Sequence, residues 1–122
     1  MARPILALVD DLIFASRIGI EVEHAQGTLR RVGTMKALTE AIHNDRPGLI
    51  IVDLEGMGFD GVAALEELKD HPFADGIRRV AYGSHVDTAR LQAAQDAGAE
   101  AMPRSAFIRL LPEIVRAATG TE

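Results

Sequence analysis

Short, wholly apolar runs alternate along this chain with stretches of helical periodicity, the pattern of a parallel sheet covered by helices. Residues 5–9 (Ile5-Leu6-Ala7-Leu8-Val9) and 49–52 (Leu49-Ile50-Ile51-Val52) are too short for helices and carry no polar face. A strand with no polar face is one buried on both sides, as in sheets assembled from βαβ units. Ile13, Phe14, Ile18 and Val22 recur at helical spacing over 12–24, with Gly27 as a stop. Residues 28–32 form a weaker strand, polar enough for a sheet edge. Met35, Leu38, Ala41 and Ile42 mark a second helix that ends before Pro47-Gly48.

The second half repeats the pattern. Residues 55–60 form a glycine-bearing loop, and Gly56 and Gly58 suggest that it is mobile. Val62, Leu65 and Leu68 then give a helix from Gly61, closed by His71-Pro72. A short strand at 80–82 precedes a turn at Gly83-Ser84-His85, where Ser84 or Asp87 is available as an N-cap. An Ala-rich helix over 88–97 stops at Gly98. A weak strand at 101–103 leads to a last helix carrying Leu111, Ile114, Val115 and Ala118, with Ser105 as its expected cap. The expectation is a (βα)5 doubly wound, five-stranded parallel sheet of flavodoxin-like type, as one domain over 1–122.

Two strands end in acid. Asp10-Asp11 follow the first apolar run and Asp53 follows the third. In an open α/β sheet the ligand site lies outside the carboxyl ends of the strands, at the switch point. Three carboxylates brought together there repel one another and resist desolvation. Such a cluster signals a bound cation, a shifted pKa, or both.

Composition removes several alternatives. The 122 residues suit a single core, and the formal net charge of -5 argues against nonspecific nucleic-acid binding. Arg30-Arg31 and Arg78-Arg79 read as solvated pairs. With no Cys there is no disulfide, thiol catalysis or Cys-based zinc site. No apolar stretch approaches the roughly 20 residues that span a bilayer, and Met1-Ala2-Arg3-Pro4 has no signal-peptide features, so a cytoplasmic location without membrane contact is expected.

These motifs carry a resemblance. Val9-Asp10-Asp11, Ile51-Val52-Asp53, Asp60-Gly61 and Ala97-Gly98-Ala99 stand in the order and spacing of the receiver domain of bacterial two-component response regulators. The chain resembles that family, as a stand-alone domain, over essentially its whole length. The resemblance implies a non-enzymatic phosphorelay module and a phosphoprotein. Asp53 is then the phosphoacceptor. Mg2+ is held by Asp11 directly, by Asp10 mostly through water, by Asp53 itself, and by the backbone carbonyl of Glu55. The implied partners are a histidine kinase or phosphotransfer protein as donor and a downstream protein, with a homodimer allowed and no direct nucleic-acid contact.

The sequence departs from the family at the residues that sense phosphate. Gly83 stands where a Thr or Ser is usual, with Ser84 one place later. Ser105 stands at the Lys position, with Arg104 one place early and Ala106 in place of the usual Pro. Ser84, Arg104 and Ser105 are therefore the switch candidates. Met102 occupies the place of the switch aromatic, whereas Tyr82 is a different position on the fourth strand. The losses open an alternative, a pseudo-receiver that acts as a phosphorylation-independent interaction scaffold. A phosphatase of the haloacid-dehalogenase type needs Asp-x-Asp, which Asp10-Asp11-Leu12 does not provide. A flavodoxin-type binder lacks its aromatics and its hydroxyl-rich phosphate loop.

Overall fold

The computed structural model describes residues 3–120; Met1-Ala2 and the end of the chain at Thr121-Glu122 lie outside them. Five strands, β1 (Ile5–Leu8), β2 (Leu29–Val32), β3 (Leu49–Asp53), β4 (Arg78–Gly83) and β5 (Glu100–Pro103), alternate with five helices. The helices are α1 (Leu12–His24), α2 (Met35–Asp45), α3 (Gly61–Lys69), α4 (Thr88–Asp96) and α5 (Arg104–Thr119). A single 3-10 turn at Pro72–Ala74, which periodicity did not reveal, connects α3 to β4. All strand pairs are parallel, in the order β2-β1-β3-β4-β5.

The apolar runs are continuous because both sheet faces are covered. Leu6, Leu8, Ile50 and Val52 face a layer that includes Leu38, Ile42, Leu65 and Leu68 of α2 and α3. Ile5, Ala7, Ile51, Val80 and Tyr82 face Ile18 and Val22 of α1 and Phe107, Leu111 and Val115 of α5. Alternate residues of one strand thus serve opposite cores. The chain runs from β1 outward to β2 and then crosses back to β3 on the other side of β1. With Leu8 paired to Val52, the residues just past β1 and the end of β3 stand side by side at that switch point.

Several local expectations change. Gly83 is the last residue of β4, paired with Pro103, rather than part of a turn. Ser105 does not cap α5: the helix starts at Arg104, Pro103 is its N-cap, and no side chain bonds its first amides. Strand passes into helix with no intervening residue, so Ser105 lies within the first turn. Asp87, not Ser84, caps α4 by accepting from the Arg90 N–H at 3.1 Å. The arginine pairs are not simply solvated. Arg79 donates through Nη2 to the carbonyls of Ala74 at 2.7 Å and Leu68 at 3.3 Å, which secures the link between α3 and β4. Arg31 donates Nε–H to the Val9 carbonyl at 2.7 Å.

Candidate functional site: an acidic cluster at the sheet switch point

Asp53 closes β3 and is the one buried acid among the described residues, with 4% of its surface exposed. Its Oδ1 accepts from the Glu55 N–H at 2.8 Å. Burial pushes its carboxyl above the usual carboxylate range. The Glu55 bond opposes that rise, the Asp10 charge adds to it, Arg104 opposes it, and Asp11 adds again. Asp10, Asp11 and Arg104 are therefore the charges that bear on Asp53.

Asp11 and Asp10 are already employed in structure. Asp11 caps α1, its Oδ1 accepting from Ile13 N–H at 2.9 Å and Phe14 N–H at 3.3 Å. Asp10 reaches across to the loop after β3, its Oδ2 accepting from Met57 N–H at 2.7 Å and Gly58 N–H at 3.0 Å. That loop, expected to be mobile, is thus anchored to the end of β1. Arg31 steadies the same end through the Val9 carbonyl, immediately before Asp10.

Each of the three acids spends one oxygen in these bonds. Among the described residues, the second oxygens, Asp10 Oδ1, Asp11 Oδ2 and Asp53 Oδ2, accept no hydrogen bond. Hard oxygen donors with a local excess of negative charge suit a divalent cation of the Mg2+ type. Among the described residues no three acidic or imidazole side chains gather into a ready metal cage. Magnesium commonly keeps several waters and takes only one or two carboxylates, so the donor set still fits it.

The overall geometry has close counterparts in solved structures. A chain from Chloroflexus aurantiacus J-10-fl assigned as a response regulator superposes with a TM-score of 0.84 at 19% identity, covering 98% of this chain and 99% of that one. The receiver domain of NtrX from Brucella abortus superposes with a TM-score of 0.79 at 21% identity, over 97% of this chain and 99% of that one. This chain has the receiver fold. The Mn2+-bound form of the response regulator Rcp1 is a third counterpart, with a TM-score of 0.80 at 16% identity, over 98% of this chain and 96% of that one. No protein-family model matches the sequence, and no curated protein is similar to it.

Within the receiver fold, the departures noted in the sequence acquire a geometry. A Cβ added at Gly83 would lie 3.3 Å from Cβ of Leu54 and 3.5 Å from its Cδ1, so Leu54 crowds the space a larger residue needs. Ser84 Oγ accepts from its own loop, from Val86 N–H at 3.3 Å. Ser105 is exposed in the first turn of α5. Arg104, half-buried at the start of that helix, is the cation whose charge favours ionised Asp53.

Two features of the receiver fold's edge went unread in the sequence. Glu55 holds the loop after β4: one oxygen accepts from Ser84 N–H at 3.2 Å and the other pairs with Arg90 of α4. Arg90 also donates to the Leu54 carbonyl at 3.2 Å and lies 3.4 Å from Asp87. Glu55 and Arg90 stand far apart in sequence, and no local spacing signals their meeting. The second feature is Tyr82, the register partner of Asp53 on β4, whose hydroxyl is buried without a hydrogen-bond partner among the described residues. Burial and the Asp53 charge raise its pKa well above the ordinary phenol value. Tyr82 was assigned only a strand position, and a lone Tyr in an apolar run carries no sequence signal of an orphaned hydroxyl.

Proposed function

We propose that the chain is a signalling receiver that accepts a phosphoryl group on Asp53 and relays the change to a partner-binding surface. The observation that carries this reading is a buried Asp53 at the switch point, with the charges of Asp10, Asp11 and Arg104 bearing on it. A free Asp53 oxygen attacks phosphorus of the donor. The new O–P bond forms as the bond to the donor's imidazole nitrogen, or to acetate in acetyl phosphate, breaks, and the leaving group keeps the electron pair. Asp11, Asp53 and the Glu55 carbonyl would hold a divalent cation directly and Asp10 mostly through water, and such a cation would supply positive charge against the transferring group. Arg104 stands as the protein's own cation beside the developing charge, the place left empty of Lys by Ser105.

The donor class is a histidine kinase or phosphotransfer protein, the recipient is a downstream protein, and the setting is the cytoplasm. Among the described residues no helix is long and apolar enough to cross a membrane. Incubation with acetyl phosphate and Mg2+, followed by intact mass, is the test. A gain of one phosphoryl group that disappears in Asp53→Asn is expected; no Asp53-dependent gain sinks the proposal.

One observation favours the scaffold reading as a second. Leu54 crowds Gly83, and Ser105 is exposed in α5, so neither family sensor position offers its usual group. On that reading Asp53→Asn leaves partner binding unchanged in the host.

A further inference from the structure

We propose that the Tyr82 hydroxyl donates a hydrogen bond to the acyl phosphate formed at Asp53, replacing the hydroxyl that Gly83 lacks. This rests on Asp53 being the phosphoacceptor.

The geometry begins with register. Asp53 and Tyr82 are paired residues of β3 and β4. Ile51, two residues before Asp53, and Val80, two before Tyr82, both face the α1 and α5 core. Side chains alternate along a strand, so Asp53 and Tyr82 stand on the same face of the sheet, next to each other. The Tyr82 ring packs against Phe14 of α1, 4.9 Å away, and Phe107 of α5, 4.5 Å away, and those two rings lie 6.4 Å from each other, so the three form one aromatic cluster. With 1% of its surface exposed, the side chain has no route to bulk water.

That cluster does not explain the hydroxyl. Phenylalanine would fill the same place in the cluster, and a buried hydroxyl without a partner is a cost that folded proteins ordinarily avoid. Register and face set the Tyr82 side chain beside that of Asp53, and after burial the Asp53 charge is what bears most on the hydroxyl. A phenol has one proton to donate, and Arg104 offers only donors. An acyl phosphate on Asp53 adds acceptor oxygens where none now meets the hydroxyl. The donor is preorganised by its two ring neighbours, which makes it effective toward charge arriving at Asp53.

Tyr82 is the sole tyrosine of the chain, and there is no tryptophan. The full chain grown with 3-fluorotyrosine therefore gives one 19F resonance. Acetyl phosphate and Mg2+ are added, and intact mass is followed in parallel. The resonance is expected to move as mass is gained, to return as the acyl phosphate hydrolyses, and to stay still in Asp53→Asn. Tyr82→Phe, which keeps the ring cluster, is expected to melt no lower than the parent and to take up phosphate on the order of tenfold more slowly. Phosphorylation of Asp53 with an unmoved resonance and an unchanged rate in Tyr82→Phe overturns the role of Tyr82 and leaves Asp53 as acceptor. No mass gain in the parent removes the acceptor itself, and the role of Tyr82 falls with it.

Discussion

The Glu55 carboxylate and the Arg90 guanidinium join the residue two places past Asp53 to the first turn of α4. The Glu55 amide meanwhile holds Asp53 Oδ1, so one residue touches both the acid and the helix. The pair is partly exposed, with 43% of the Arg90 and 22% of the Glu55 side chain accessible, and such pairs contribute at most about 1 kcal/mol. Arg90→Ala is therefore expected to lower stability only slightly in urea titration. Its larger effect should be local: faster hydrogen exchange at the Ser84 amide, whose acceptor is Glu55. Protection at Ser84 that survives the substitution counts against this link.

Asp53 makes stability fall as pH rises. Its folded carboxyl titrates above the ordinary value of 3.8, mainly because it is buried. Between that value and the raised one, the folded state binds more protons than the unfolded state, so stability declines across this window and stays lower above it. Asp53→Asn removes the penalty. The variant is expected to melt higher than the parent at pH 7, with the difference shrinking as pH falls from the raised value toward 3.8. Equal melting temperatures at pH 7 would contradict the assignment.

Two duties of Asp11 can be separated, the cap that it forms and the cation ligand that is proposed for it. As the cap of α1 it is replaceable by Asn, which caps about as well, while Ala loses roughly 1 kcal/mol. On the proposed function it is also a cation ligand, and there it is replaceable by neither. Asp11→Asn should match the parent in metal-free melts but lose the rise in Tm that Mg2+ gives the parent. Asp11→Ala should melt lower with or without the metal. An Asn variant that keeps the full Mg2+ response removes Asp11 from the ligand set.

Much of this was legible because a doubly covered sheet forces uninterrupted apolar runs. Residues 5–9 and 49–52 announced β1 and β3, and the acids that follow them pointed to the candidate site. β5 was harder: its residues are only half-buried or exposed, so Glu100 gave no sign of belonging to a strand. Arg79 looked solvated because its two carbonyl partners come from other elements, Leu68 of α3 and Ala74 of the 3-10 turn. Ser105 looked like a cap because Ser caps well, yet the strand-to-helix junction at Pro103 left it no place outside the helix. The Tyr82 hydroxyl and the Glu55–Arg90 pair depend on tertiary approach alone.

Gly61 places α3 against the site by close approach. A Cβ there would meet the Asp53 carbonyl oxygen at 2.9 Å, and that oxygen belongs to the backbone and cannot swing aside. Gly61→Ala is expected to cost about 1–3 kcal/mol, despite the better helix propensity of Ala, and to displace Asp53. Chemical denaturation measures the first effect and the rate of Asp53 phosphorylation the second. A stabilised variant would show that the backbone yields more easily than this contact allows.

The contact between Gly83 and Leu54 bears on how such a chain can diversify. A threonine introduced at 83 alone meets Leu54 Cβ at 3.3 Å, tighter than ordinary packing, so the first step carries a penalty before any new hydroxyl is useful. Trimming Leu54 first opens a void in the α3 and α4 layer of the core instead. Either order passes through a poorer intermediate, so a larger residue at 83 requires a matching change at 54, and the glycine is held in place by its neighbour.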